Sequence, residues 1–170
     1  MSYRFRHAIC NEAFEKFPFG EACRVIRAAG YEGIEIAPFT LAEDPASIPD
    51  ATRRELRGIM RSAGLAFVGL HWLMVGPKGM HVSTPDGAVR TRSWQRIHDL
   101  IDLCADLGEG GVMVFGSPQQ RRTVSGDTRA KATRRFVEGL AAAAPHAAEQ
   151  DVTILLEALP AGQCLSLIHI

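Results

Sequence analysis

The chain has 170 residues, of which 46% are hydrophobic and 22% are charged, so it holds enough apolar material for one folded domain and is not a disordered chain. Nineteen Lys and Arg balance nineteen Asp and Glu, and a net charge of zero removes the main electrostatic argument for nucleic-acid binding. No apolar run reaches the roughly 20 residues of a membrane helix.

The N-terminus has no apolar region of the kind found in signal peptides. The four cysteines lie far apart without a CxxC pair, which argues against a disulfide scaffold or a structural zinc site and is typical of reduced thiols. We therefore expect a cytoplasmic protein with neither a nucleic-acid nor a membrane partner.

The first predicted strand covers residues 5–10 and is followed by Asn11 and Glu12. A helix comes next, with Val25, Ile26 and Ala29 on one face and a glycine stop at position 30. The second strand is GIEI, residues 33–36, with Glu35 near its end.

The second helix repeats this pattern, because Leu56, Ile59, Met60 and Ala63 share a face and Gly64 follows them. The third predicted strand covers residues 65–70. The aromatic pair His71 and Trp72 follows it.

The third helix has the clearest spacing, with apolar residues at positions 97, 100, 101, 104 and 107. We predict that it is capped by Thr84, with Pro85 in the first helical position. The fourth strand, GVMVFG at 111–116, leads into Ser117 and a loop that carries Arg121.

The fourth helix covers residues 136–150, and Pro145 is expected to kink it or split it in two. The fifth strand, residues 151–157, is a run of apolar residues that finishes on the carboxylate of Glu157.

Strands and helices thus alternate, and the near-continuous apolar strands are typical of a parallel sheet covered on both faces. A doubly wound sheet and a (β/α)8 barrel both fit this pattern. A dinucleotide-binding sheet would favour GxGxxG after the first strand, whereas here polar or distinctive residues follow every strand, as they do at the mouth of a barrel. We favour an α/β fold that is a partial TIM barrel of about five βα units over residues 1–164, incomplete at its C-terminus.

Four segments in series, GIEIAPFTL, VGLHWLM, VMVFGSPQQR and TILLEAL, resemble the sugar phosphate isomerase/epimerase family of the xylose-isomerase-like TIM-barrel superfamily. The resemblance implies a divalent metal (Mn, Mg, Co or Zn) held by Glu, Asp, His and Glu on strands five to eight. Glu157 matches the first of these ligands, and the other three lie on strands that this chain does not contain. The chain is therefore expected to be the N-terminal part of a longer barrel and to be inactive alone.

The last six residues, LSLIHI at 165–170, match the translation of a transposon end used in sequencing libraries. We interpret them as an adapter-derived tail and assign His169 no role. The alternative is a genuine apolar C-terminus that begins a helix.

Seven candidate site residues follow from these patterns. Glu157 is the candidate metal ligand and acid or base, because a carboxylate that ends an apolar strand needs a partner. The candidates for substrate binding are His71, Trp72, Glu35, Ser117, Arg121 and Asn11. Each has a structural alternative: a solvated or ion-paired carboxylate, a packed aromatic ring, a buried ion pair with an arginine, or a solvated loop charge.

For the longer protein we expect a metal-dependent isomerase or epimerase of a small sugar, sugar phosphate or related polyol or keto acid. It would act by removing a proton next to a carbonyl, and it could form homo-oligomers. Alternatives are a dehydratase of a cyclic polyol or dehydroshikimate-like acid, and a barrel that binds a ligand without catalysis. A zinc-dependent abasic-site endonuclease is disfavoured, because FGSP places no histidine at the end of strand four.

Overall fold

The computed structural model describes residues 5–159, and its strands form one five-stranded parallel sheet. The strands are β1 (Ala8–Cys10), β2 (Gly33–Ile36), β3 (Ala66–Leu70), β4 (Val112–Phe115) and β5 (Thr153–Leu156). Each strand pairs with the next one along the chain, in the order β1-β2-β3-β4-β5. A doubly wound sheet reverses its strand order at a switch point. The sequential order therefore confirms a partial barrel of the α/β class.

Within residues 5–159, five α-helices connect and flank the strands: α1 (Phe19–Ala28), α2 (Asp50–Ser62), α3 (Gly87–Leu107), the short α4 (Pro118–Arg121) and α5 (Arg129–Glu149). Contacts run from α1 to α2, from α2 to α3 and from α3 to α5. Right-handed crossovers between sequential strands place such helices on one face of the sheet. The core lies between this helical layer and the sheet, and the opposite face of the sheet is the inside of the barrel.

The helices bury the faces that their apolar spacing predicts, with one exception. In α3 all five predicted apolar residues are buried, at positions 97, 100, 101, 104 and 107. In α1 the buried face consists of Ala22, Cys23 and Ile26, whereas Val25 is 37% exposed. Ile26 thus lies on the face that the sequence predicts, whereas the prediction is wrong for Val25 and Ala29, which are both exposed.

Two helix boundaries also differ from the sequence prediction. Helix α3 begins at Gly87 because the Oδ1 atom of Asp86 accepts a hydrogen bond from the backbone N–H of Val89 at 3.0 Å. Thr84 is not the cap. Its hydroxyl oxygen instead accepts from the N–H of Asp86 at 3.3 Å.

Helix α5 continues across Pro145 to Glu149, so the expected split does not occur. Proline removes one backbone donor from the helix. The buried residues Phe136, Ala143 and Ala147, on both sides of this position, pack α5 against the core. This packing offsets the missing hydrogen bond.

Of the three described cysteines, two are buried and Cys10 is partly buried. Cys10, Cys23 and Cys104 are free, and burial raises the pKa of Cys23 to about 11 and that of Cys104 to about 12. Cys164 and the segment 165–170 lie outside the described residues. Between residues 5 and 159, no helix combines the length and the apolar character that crossing a membrane requires.

Candidate functional site

The C-terminal ends of β2 and β3 bring Glu35 and His71 together. The backbone N–H of His71 donates to the carbonyl of Ile36 at 2.9 Å, which extends the pairing of the two strands to the rim of the sheet. The Nδ1 atom of His71 then lies 3.7 Å from the Oε2 atom of Glu35, and both side chains are about 30% exposed. This distance is longer than that of an ordinary hydrogen bond, so Glu35 is a distant acceptor for the imidazole and an opposite charge beside it.

The charges around His71 show which residues share this rim. Glu35, as acceptor and as charge, raises the pKa of His71, while burial of the imidazole lowers it. The charges of Glu157 and Glu12 raise it further. Carboxylates at the C-terminal ends of β1, β2 and β5 therefore act electrostatically on His71, which follows β3.

Glu157 directly follows β5 and is half-buried beside the end of β4. Its backbone N–H donates to the carbonyl of Phe115 at 3.3 Å. Its own carbonyl accepts from Nη2 of Arg121 at 2.6 Å. Its side chain lies over Gly116, where a Cβ atom would collide with Oε2 and lie 3.3 Å from Cδ.

Arg121 is fully buried at the C-terminal end of α4. The sequence places it on a loop that could reach a ligand, whereas the described contact is with the main chain of Glu157. The side chain of Asn11 is also hydrogen-bonded within the protein. Its Oδ1 accepts from the N–H of Ala37 at 2.8 Å and its Nδ2 donates to the hydroxyl of Thr40 at 2.7 Å, with 5% of the residue exposed.

Trp72 and Ser117 occupy strained positions at the same rim. Both have a positive φ, 56° for Trp72 and 42° for Ser117, and this conformation is uncommon for residues other than glycine. The Trp72 ring stacks on His71, with ring centroids 5.6 Å apart and an interplanar angle of 19°, and 42% of the residue is exposed. Such strain clusters at ligand sites.

The described residues do not by themselves fit a bound metal. Within residues 5–159, no group of three or more His, Cys, Asp or Glu side chains is arranged to hold an ion. The carboxylate of Glu157 is a hard oxygen donor of the kind that Mg²⁺ and Mn²⁺ prefer. One such donor is not enough to hold a metal ion. The predicted metal site stays an expectation for a longer protein.

Sequence reasoning missed the residues that support this rim. The sequence pattern places Gly116 only at the end of a strand, whereas in the structure this glycine provides the space for the Glu157 side chain. The buried Arg96 of α3 donates to Asp44 at 2.7 Å and to the carbonyl of Gly76 at 3.1 Å, which ties the segments after β2 and β3 to one helix. Arg96 lies 52 residues from Asp44, and no local pattern reveals such a pair.

Solved structures with the same fold include sugar epimerases. D-psicose 3-epimerase in the presence of D-fructose matches with a TM-score of 0.74 and 18% identity, over 94% of this chain and 54% of that one. The protein SMc04130 of Sinorhizobium meliloti 1021 matches with a TM-score of 0.68 and 26% identity, over 92% and 52%. The 3-keto-D-glucoside 4-epimerase of E. coli matches with a TM-score of 0.66 and 19% identity, over 92% and 57%.

The chain thus spans about half the length of these proteins. A search of curated proteins finds no match. A family model described as the xylose isomerase-like TIM barrel matches residues 23–169, most of the sequence. Together with the sequential parallel sheet, this match shows that the chain belongs to the xylose isomerase-like TIM barrel family.

Proposed function

We propose that the longer protein of which this chain forms one part is an isomerase or epimerase of a small sugar, sugar phosphate or related polyol or keto acid. The observation that carries the proposal is the rim where Glu157, Glu35 and Glu12 act on His71. The names of the structural neighbours, which include epimerases of D-psicose and of L-ribulose, support a ketose as the first substrate to test. Dependence on a divalent metal is part of the proposal, with Glu157 as the ligand that this chain contributes.

Glu157 is the proposed base. Its carboxylate takes the proton from the carbon next to the substrate carbonyl. The electron pair of that C–H bond forms a C=C bond to the carbonyl carbon, and the π pair of the carbonyl moves to its oxygen. Return of a proton to the other face of the same carbon gives the epimer, and return to the neighbouring carbon gives the isomer. The half-buried position of Glu157 lets its carboxylate meet a substrate at the mouth.

His71 is the proposed partner for a substrate oxygen. An imidazolium held by Glu35 has a second ring nitrogen, Nε2, that can donate a hydrogen bond. Donation to an oxygen that gains negative charge favours the transition state more than the ground state. Trp72 offers an apolar ring face for the C–H surface of a sugar.

The remaining candidates have less direct roles in this proposal. Ser117 lies after β4 at the same rim and is the further candidate for contact with substrate. Arg121 and Asn11 were predicted to bind substrate, and their described contacts support the main chain at the ends of β5 and β2. We propose that these two residues affect the substrate through the positions of those strand ends.

The test is a screen of the full-length protein on ketoses, beginning with D-fructose and with divalent metals added. Glu157→Gln is the matched variant, because it keeps the shape of the side chain and removes the base. We expect it to lower kcat by about 10²- to 10⁴-fold, the usual contribution of a positioned base. If the Glu157→Gln protein has the same kcat as the wild type, the proposed role of this carboxylate as the base is ruled out.

A further inference from the structure

The feature that carries a further inference is the absence of a side chain at Gly116. This residue follows β4, and its φ is not among the positive values recorded for the described residues, so backbone freedom does not explain a glycine here. Space does. A Cβ atom would collide with Oε2 of Glu157 and lie 3.3 Å from its Cδ and 3.9 Å from its Cβ.

The main chain of Glu157 is fixed independently of this contact. Its N–H donates to Phe115, and its carbonyl accepts from the fully buried Arg121 at 2.6 Å. With both backbone groups held, the side-chain torsions are the freedom that remains to the carboxylate. In the arrangement that the structure shows, the carboxylate occupies the space that a side chain at position 116 would take.

We propose that Gly116 is a positioning residue, whose missing side chain determines where the Glu157 carboxylate lies at the rim. This inference rests on the proposed function, because the position of the carboxylate matters if it removes a proton from substrate. A methyl group at position 116 contacts the far end of a flexible side chain rather than backbone. The barrel is therefore expected to fold, with the carboxylate displaced.

The first experiment needs no activity. The full-length wild-type protein, Gly116→Ala, Glu157→Ala and the double variant are unfolded in urea. Their four unfolding midpoints form a double-mutant cycle. We expect Gly116→Ala to lower the midpoint when Glu157 is present and to leave it unchanged or raised when residue 157 is alanine. Equal effects in the two backgrounds would overturn the inference.

The second experiment measures D-fructose epimerisation. A displacement of about 1 Å can cost about 100-fold in rate, so we expect Gly116→Ala to lower kcat by about that factor while KM changes less than about twofold. A kcat equal to that of the wild type would contradict the inference. If the wild-type protein shows no turnover, the proposed function fails, and the urea cycle still decides the role of Gly116.

Gly111→Ala is the matched control, because this glycine precedes β4 at the opposite end of the strand. Its Cβ would lie 2.6 Å from Sγ of Cys104 and 3.0 Å from Cε1 of Phe67, so the substitution also crowds a neighbouring side chain. We expect a lower urea midpoint with an unchanged kcat. An equal loss of kcat in Gly111→Ala would assign the effect to β4 as a whole and would overturn the positioning role.

Discussion

Among single residues, His71 shows most directly how the rim works. Two opposing effects act on the pKa of its imidazole: Glu35, Glu157 and Glu12 raise this pKa, whereas burial lowers it. The net effect is a pKa above its usual value. His71 therefore holds its proton at a higher pH than a free imidazole does.

This shift predicts a pH dependence of stability. A raised pKa in the folded state contributes stability that is fully present below the unfolded pKa of about 6.5, and this stability is lost as the pH rises through the folded pKa. In Glu35→Gln we expect the pKa of His71 to fall and this contribution to shrink. The measurements are an NMR titration of the His71 ring and urea midpoints of both proteins from pH 5 to 9. A His71 titration that is identical in both proteins would show that Glu35 is not the partner.

At the scale of elements, the sheet depends on close approach between β3 and β4. A Cβ atom at Gly69, on β3, would lie 2.7 Å from the carbonyl carbon and 2.8 Å from the nitrogen of Val112. These are backbone atoms of the neighbouring strand, which cannot rotate away as a side chain can. A glycine at this position keeps the two strands paired.

We expect Gly69→Ala to lower the free energy of unfolding of the full-length protein by about 3 kcal/mol, the upper range for overpacking a core. Gly58→Ala is the control, because Gly58 is exposed in the middle of α2 with no atom within 4 Å of an added Cβ. Replacing a mid-helix glycine by alanine stabilises by roughly 0.5–1 kcal/mol. Urea unfolding measures both changes in the free energy of unfolding. A Gly69→Ala protein as stable as the wild type would mean that β3 and β4 can move apart to accommodate the methyl group.

The sequence is informative where the signal is local. Apolar spacing over five residues predicts the buried face of α3, and Glu157 and His71 are identifiable because each directly follows an apolar strand. The cap of α3 was missed because two capping residues, Thr84 and Asp86, lie two positions apart. The role of Gly116 depends on the position of a side chain 41 residues later in the chain, and periodicity contains no information on such contacts.

At the scale of the whole molecule, the described strands form an arc with two outer members. Strand β1 pairs with β2 and strand β5 pairs with β4, and no other partner is recorded for either of them among residues 5–159. Leu155 and Leu156 on β5 are 49% and 39% exposed. An apolar strand with an unpaired edge is a template for association with other chains.

We therefore expect the 170-residue chain, produced alone, to elute as aggregates in size-exclusion chromatography. Leu155→Lys places a charge on the exposed strand and should increase the monomeric fraction. The matched control is Val137→Lys, since Val137 is 56% exposed on helix α5 and not at a sheet edge. A wild-type chain that is monomeric and melts cooperatively would contradict the expectation.

The two tryptophans of the sequence lie in opposite surroundings. The indole of Trp94 is partly buried and packs against Phe115 and Phe136, with ring centroids 6.2 Å and 5.9 Å away, while Trp72 is 42% exposed at the mouth. Water around Trp72 shifts its fluorescence to longer wavelengths, whereas Trp94 lies away from the rim in contact with two phenylalanine rings. The arrival of a sugar at the rim can thus be followed in the intrinsic emission spectrum, without attaching a dye.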